Sequence, residues 1–250
     1  MTPDPIPCPT RSSASPSERA GLVAGIDGCR TGWVVAIADS RPGTPLVRVE
    51  IVTAIEEIVD RVRSGEFAAV AIDMPIGLPD SGTRACDVAT RARLGRKGSS
   101  VFPAPVRATL GSADHAEAVR RSRAIDGRGV TIQAFNILAK IEQVDRAFDP
   151  ALVDRIVEAH PESVFATLAG SPLLTKKRLV AGRLERLGLL DPVFPDSSAL
   201  LTGRLRGAAP DDVLDAAAIA WTARRWAAGE ALVLGDGSLD SLGRPMRVAI

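Results

Sequence analysis

The stretch that decides the fold is GLVAGIDGCRTGWVVAIAD, residues 21–39. A first apolar run stops at Asp27, and a second begins at Trp33 after a turn that contains Gly28 and Gly32. This pattern predicts two strands joined by a tight connection. An apolar strand that ends on a carboxylate has two explanations. Asp27 is either an ordinary turn aspartate or a metal ligand at the tip of a central strand.

The composition is that of a globular protein with a real core. The chain has 250 residues, of which 46% are hydrophobic, and a formal net charge of +1. No stretch approaches the ~20 apolar residues of a membrane span, so none is expected. Residues 1–20 are rich in Pro and Ser and lack the apolar segment of a secretory signal, so a disordered lead-in is expected there. Residues 21–250 are predicted to form a single domain.

Cysteine and histidine are too scarce for most metal and disulfide chemistry. There are three Cys, with no CxxC spacing, and two His. A disulfide framework and a structural zinc site are therefore not expected, and the pattern fits the reducing cytoplasm. Any hard metal would be bound by carboxylates, whose oxygen atoms suit Mg²⁺ or Mn²⁺.

The next segments predict an α/β protein with a mixed sheet. Residues 46–52 alternate as a third strand, residues 54–63 have helical apolar spacing, and residues 67–72 form a continuous apolar run. Such a run is typical of a strand covered on both faces. It stops on Asp73. Three antiparallel meander strands, a crossover helix and a fourth strand parallel to the first are therefore expected.

The second half of the chain is predicted to be mainly helical. Residues 79–150 are expected to form a mostly helical insert, and residues 154–159 a weaker strand that ends before His160. An Ala-rich helix is expected over 210–228, and two short strands around a Gly/Asp turn in the tail, 231–250.

Four aspartates form the candidate constellation. Asp27 and Asp73 end apolar strands, while Asp212 and Asp215 share one face near the start of the late helix. Separately, each has an ordinary explanation as a turn or cap residue, although Asp215 lies a turn into an apolar face. Together they would bring four negative charges to one place, which is costly unless cations neutralise them.

The order of these acids resembles that of RNase H-like proteins, and the stretch DDVLDAAAIA resembles the final helix of RuvC-type Holliday junction resolvases. The chain is also similar to a family of uncharacterised bacterial and archaeal proteins described as predicted RNase H-like nucleases. The segments that resemble this family are GIDGCRTGWVVA (25–36), AIDMPIGLP (71–79), RACDVATRARLG (84–95), SSVFPAPVR (99–107), QAFNILAKIEQVD (133–145) and EAHPESVFATLAG (158–170).

The resemblance implies an RNase H-like fold and a role for each acid. Asp27, Asp73 and Asp215 would be catalytic, with Asp73 in place of the more usual Glu. The implied ligands of Mg²⁺ or Mn²⁺ are Asp27, Asp73 and Asp215, alone or with Asp212. Glu162 has no clear counterpart in the RNase H-like site and is either an extra ligand or a residue that orients Lys176 or Lys177. In a hydrolase of this kind, Lys176 or an arginine of the insert would stabilise charge on the phosphate.

Basic residues cluster in the insert and near the predicted site. Scattered arginines usually mean a solvated helix face, but a basic insert that begins beside Asp73 can present a positive groove to phosphate. The candidate substrate-binding residues are Arg30, Arg84, Arg91, Arg96, Lys97, Arg107, His160 and Lys177. Six Phe, three Trp and no Tyr argue against a broad stacking platform. Backbone contact, or a compact nucleotide-sized substrate, is favoured instead.

Three hypotheses about function follow. The first is a metal-dependent phosphodiester hydrolase, in which a metal-bound water attacks the phosphodiester of a nucleic acid or nucleotide. The second is a nucleotide-binding phosphotransferase related to actin and the sugar kinases, which share the core of the fold. The third is a non-catalytic nucleic-acid-binding protein. The expected location is the cytoplasm, no membrane partner is expected, and the oligomeric state, a homodimer included, stays open.

Overall fold

The computed structural model describes residues 21–250; the lead-in expected over residues 1–20 lies outside the described residues. A five-stranded mixed sheet with the order β3-β2-β1-β4-β5 forms its centre. β1, β2 and β3 pair antiparallel, whereas β4 is parallel to β1 and β5 is parallel to β4. The strands are β1 (Leu22–Cys29), β2 (Gly32–Asp39), β3 (Leu46–Val52), β4 (Phe67–Ile72) and β5 (Ile156–Glu158).

The β1–β2 hairpin is longer than the sequence predicted. Pairing continues past Asp27, which lies opposite Val34, to the pair of Cys29 with Gly32. The expectation that the first strand ends on Asp27 is therefore wrong by two residues. Since side chains alternate along a strand, Asp27 points to the same face of the sheet as Cys29.

Helices cover both faces of the sheet. The α-helices are α1 (Ile55–Arg63), α2 (Ala85–Leu94), α3 (His115–Asp126), α4 (Ile132–Asn136), α5 (Leu138–Ala147), α6 (Pro161–Ala169), α7 (Val180–Leu190), α8 (Ser198–Thr202) and α9 (Pro210–Ala228). α1 is amphipathic and buries residues at helical spacing, and it packs with α5 over one face. α9 covers the other face, where α6, α7 and α8 pack against it. The mixed α/β class predicted from the sequence is confirmed.

α9 lies unusually close to β1. The helix begins at Pro210, which is suited to a first turn, and ends at Gly229 in the left-handed conformation. A Cβ built on Gly25 would lie 2.1 Å from the Ala216 carbonyl oxygen and 2.2 Å from the Ala220 nitrogen. Only glycine allows this approach, because the atoms in the way belong to the backbone. The contact fixes the height of Asp215 above the sheet.

The segment between β4 and β5 contains the helices α2 to α5, in agreement with the mostly helical insert that was expected. In the tail, β6 (Val233–Leu234) and β7 (Val248–Ala249) form a short antiparallel pair. Within the described part of the chain, no helix has the length and apolar character that a bilayer crossing requires.

Candidate functional site

All five predicted acids line one cavity of about 810 Å³, and Asp27, Asp73 and Asp215 are central to it. Asp27 comes from β1, Asp73 directly follows β4, and Asp215 lies in the second turn of α9. The backbone N–H of Asp73 donates to the Ile26 carbonyl at 2.9 Å, which holds the end of β4 against β1. Asp27 is 8% exposed and Asp215 only 1%. The sheet and α9 therefore bring together acids that are far apart in the sequence.

Asp27, Asp73 and Asp215 all have raised pKa values, chiefly because they are buried. Burial, then the charges of Asp73 and Asp215, raise the pKa of Asp27 well above its ordinary value. Burial likewise raises the pKa of Asp73 to about 6, although Lys177 and a hydrogen bond from Asp27 oppose the shift. Burial also raises the pKa of Asp215 to about 6 against the opposing effect of Lys177. Without a cation, full ionisation of this group is therefore costly.

Lys177 supplies the positive charge at this site. Its ammonium donates to Oδ2 of Asp215 in a salt bridge that is buried on the aspartate side. Burial alone would lower the pKa of Lys177, but the attraction and hydrogen bond of Asp215, with Asp27 and Asp73, raise it. The lysine therefore stays charged and neutralises part of the cluster.

The donor set fits an oxygen-preferring divalent cation. Oδ1 of Asp215 is buried and has no hydrogen-bond partner, which leaves a carboxylate oxygen free to bind a ligand. Carboxylate oxygens are what Mg²⁺ and Mn²⁺ prefer. Within residues 21–250, however, no three His, Cys, Asp or Glu side chains are already arranged as a metal site. Cation binding would require these carboxylates to rotate, with Lys177 as their counter-ion until then.

Two of the other predicted ligands are engaged elsewhere. Asp212 accepts the Ala209 N–H at 2.8 Å and so caps the start of α9, as its ordinary explanation held. Both oxygens of Glu162 accept from Arg186, at 2.7 and 2.9 Å. Both acids line the cavity, but these bonds compete with their proposed role as metal ligands.

The structure does not bring the predicted arginines together as a groove beside the carboxylates. Arg30 is exposed in the β1–β2 turn, and Arg96 is exposed in the 3₁₀ segment that follows α2. Arg91 donates to the Val101 carbonyl at 2.6 Å. Arg107 pairs with Asp145 and with Asp240. These partners are distant in sequence, so the sequence pattern could not reveal them.

Arg84 lines the cavity wall, but its guanidinium is bound by two carboxylates of the protein. Its guanidinium forms salt bridges with Asp87 and Glu158, and all three side chains are buried. Such a fork is fully occupied by its two carboxylates. The role of Arg84 in phosphate binding stays a prediction, and the two salt bridges compete with it.

Other predicted residues do line the cavity. Lys97 lies in its wall and donates to the Thr175 carbonyl at 3.4 Å. His160 also lines it; burial lowers the pKa of the imidazole, which is therefore neutral at pH 7. Lys176 is exposed at the rim, whereas its neighbour Lys177 reaches Asp215. The contact with an acid thus belongs to Lys177 and not to Lys176.

Sequence reasoning missed Lys140. This residue of α5 lines the cavity near Asp27, donates from Nζ to the Gly32 carbonyl at 2.6 Å, and lies 4.2 Å from the Trp33 ring centroid. Burial lowers its pKa, partly offset by Cys29 and Asp27. A signal was available in the composition. Only four of the 31 lysines and arginines are lysines, and all four line this cavity.

The comparisons with known proteins give a family and no function. No curated protein and no solved structure matches the chain. One family model does match, over residues 25–238, and its description is "Protein of unknown function (DUF429)". The match covers the five-stranded sheet except the first three residues of β1, together with every acid of the site, and the chain therefore belongs to the DUF429 family.

Proposed function

We propose that the protein is a metal-dependent phosphodiester hydrolase with an RNase H-like fold. The observation that carries the proposal is the convergence of Asp27, Asp73 and Asp215 on one cavity, where burial and the charge of a neighbouring carboxylate raise the pKa of each. Buried like charges that are kept close together are a typical sign of a functional site.

The topology supports the fold part of the proposal. A three-stranded meander is followed by a helix and by a strand parallel to the first, which is the order that the sequence resemblance implied. The acids come from the first strand, the end of the fourth strand and the last long helix. This order of elements and acids, taken together, argues for the RNase H-like assignment.

The chain's own residues would position the substrate and neutralise its charge. Lys177 contacts Asp215, and Lys140 of α5 lines the same cavity near Asp27, so both ammonium groups would attract a phosphate bound there. Lysine binds phosphate as a point charge. Asp27, Asp73 and Asp215 would hold Mg²⁺ or Mn²⁺, which when bound supplies an activated water and a clamp on the phosphate oxygens.

The test combines metal binding with hydrolysis. Mg²⁺ or Mn²⁺ at about 100 times its Kd stabilises a protein by about 2.7 kcal/mol, which for a chain of this size raises Tm by roughly 5–10 °C. We expect this rise in the wild type and little of it in Asp27→Asn. We also expect metal-dependent hydrolysis of phosphodiesters by the wild type and none by Asp27→Asn or Asp215→Asn.

Asp60→Asn is the matched control, because Asp60 is an exposed aspartate of α1 whose side chain is 71% accessible. It should respond to metal as the wild type does. If neither ion shifts Tm and no diester is hydrolysed, the proposal is wrong. Consumption of ATP without hydrolysis of diesters would instead support the phosphotransferase alternative.

A further inference from the structure

We propose that the site takes a nucleotide-sized phosphodiester, in which the scissile phosphate is flanked by a single recognised nucleoside. Such a group occurs in a free dinucleotide and at the end of a strand, but the interior of a long strand or duplex is excluded. This inference rests on the hydrolase function proposed above and names the substrate class of that same site.

The first argument is the form of the site. Its volume of about 810 Å³ falls among small-ligand pockets, which are roughly 300–1,000 Å³. Proteins that bind duplex nucleic acid instead use open surfaces of roughly 1,000–2,500 Å². The walls come from residues 97–102 of the insert, 136–140 at the α4–α5 junction, and 176–179 before α7. Lys97 donates to the Thr175 carbonyl and so links the first of these walls to the segment that precedes the third.

The second argument is where the positive charge lies. All four lysines line the cavity, together with Arg178. Among the predicted substrate-binding arginines, Arg84 and Arg107 form salt bridges and Arg91 donates to a carbonyl. Arg30 and Arg96 are exposed but do not line the cavity. Affinity for a long backbone needs many phosphate contacts. The cations here are gathered in one cavity and do not form an extended track.

The third argument is the number of aromatic rings. Among the residues that line the cavity, Phe102 is the only Phe, Trp or Tyr, and it is 40% exposed. A partly exposed ring in a cavity wall can stack on one base. Proteins that hold a run of single-stranded nucleotides present several such rings. One ring therefore matches one base.

The reaction balances with water as the only co-reactant. The oxygen of water forms a bond to phosphorus, and the bond from phosphorus to the leaving alcohol oxygen breaks. One proton of the water ends on that leaving oxygen, and the other is released from the new phosphate monoester. No oxidant or reductant is needed.

The test uses the full chain with Mn²⁺ and three substrates, each in ribose and deoxyribose forms: a dinucleotide, a linear 20-mer, and the same 20-mer closed into a circle. We expect hydrolysis of a substrate with an end and at least 100-fold slower cleavage of the circle. If only the dinucleotide is cleaved, the substrate is a free dinucleotide. If the linear strand is shortened stepwise, the substrate is the end of a strand. Cleavage of the circle at a rate similar to that of the linear strand would overturn this inference and leave the hydrolase function standing.

A variant pair tests the base contact separately. Phe102→Ala should raise KM for the dinucleotide about tenfold with little change in kcat, because one stacking contact is lost. Ile125→Ala removes an exposed apolar side chain of α3 outside the cavity and should leave KM unchanged. Equal KM in Phe102→Ala and wild type would count against the single-base site.

If the wild type hydrolyses no diester, the proposed function fails, and a binding measurement still decides the size question. The readout is then the Tm shift produced by the dinucleotide, compared with that of the circle at equal phosphate concentration. A shift with the dinucleotide alone, lost in Phe102→Ala, supports the nucleotide-sized site. Equal shifts with both overturn it.

Discussion

Replacing Arg84 with methionine tests whether the cavity wall is held by a buried ion network. Arg84 makes six polar contacts, two each with Asp87 and Glu158 and one each with the carbonyls of Ile76 and Gly77. The distances run from 2.5 to 3.2 Å. The side chain of Arg84 is 1% exposed, and those of Asp87 and Glu158 are 2% and 8% exposed.

The expected loss follows from charges left without a partner. Arg84→Met keeps the length of the side chain but leaves two buried carboxylates facing each other. Breaking a buried pair in this way costs about 3–5 kcal/mol. For a chain of this size each kcal/mol lowers Tm by roughly 2–4 °C, so the fall should be roughly 6–20 °C.

Glu158→Gln is the matched control for the sign of the charge. It leaves Arg84 with Asp87 as a neutral pair, and the amide oxygen still accepts a bond from the guanidinium. Burial already raises the pKa of Glu158 to about 7, so the loss of its charge costs little. We therefore expect this variant to lose at most about 2 kcal/mol, clearly less than Arg84→Met.

The assay is urea unfolding, followed by circular dichroism, at pH 5 and pH 8. Arg84 lowers the pKa of Glu158 in the wild type, so Arg84→Met should raise that pKa further, and the folded state then binds a proton that the unfolded state releases. The loss of stability should therefore be larger at pH 8 than at pH 5. If Arg84→Met melts within 2 °C of the wild type and instead raises KM for a diester, the network reasoning is refuted and Arg84 binds substrate.

Three further predictions concern the site and its support. The pKa of Asp73 is raised from 3.8 to about 6, so the metal-free protein should lose stability as pH rises from about 4 to 6. In urea unfolding, Asp73→Asn should be up to about 3 kcal/mol more stable than the wild type at pH 8, and the two should be equally stable near pH 4. Gly25→Ala should lower the free energy of unfolding by about 3 kcal/mol or more in the same assay, because its Cβ would lie 2.1 Å from a carbonyl oxygen of α9. Gly188→Ala is the control: this glycine of α7 has open space around it, so the change should be neutral or stabilising. Similar losses in both variants would contradict the close contact. Nucleotide binding should change the tryptophan emission, because Lys140 lies over the Trp33 ring, and Trp33→Phe should remove that change; an undiminished change would place the ligand elsewhere.

The parts of the structure that were predictable are those that depend on local patterns. The strand that ends before Asp73 and the helix that contains Asp215 were both predicted, because a continuous apolar run and an Ala-rich helix are strong local patterns. The partners of the basic residues could not be predicted from the sequence. Arg107 meets Asp240, and Arg186 meets Glu162, through folding of distant segments. A local run of arginines contains no information about such partners.

Lys140 shows a different limit. A single lysine on an amphipathic helix ordinarily indicates a solvated face, so its spacing gave no reason to select it. Its position over Gly28, whose built Cβ would lie 3.4 Å from Cδ of the lysine, depends on how α5 packs on the sheet. The rarity of lysine in the composition was the only sequence signal, and it indicates the cavity only when all four residues are located.

The confinement of lysine to one cavity has a consequence for chemical modification. Apart from the amino terminus, every amine of the chain lines this cavity, since residues 1–20 contain no lysine. An acyl donor or an isothiocyanate that reacts with a side-chain amine therefore reacts at the site. Acylation removes the positive charge of a lysine and leaves the arginines of the surface charged. Amine acylation would thus remove positive charge from the cavity and leave the charge of the remaining surface unchanged.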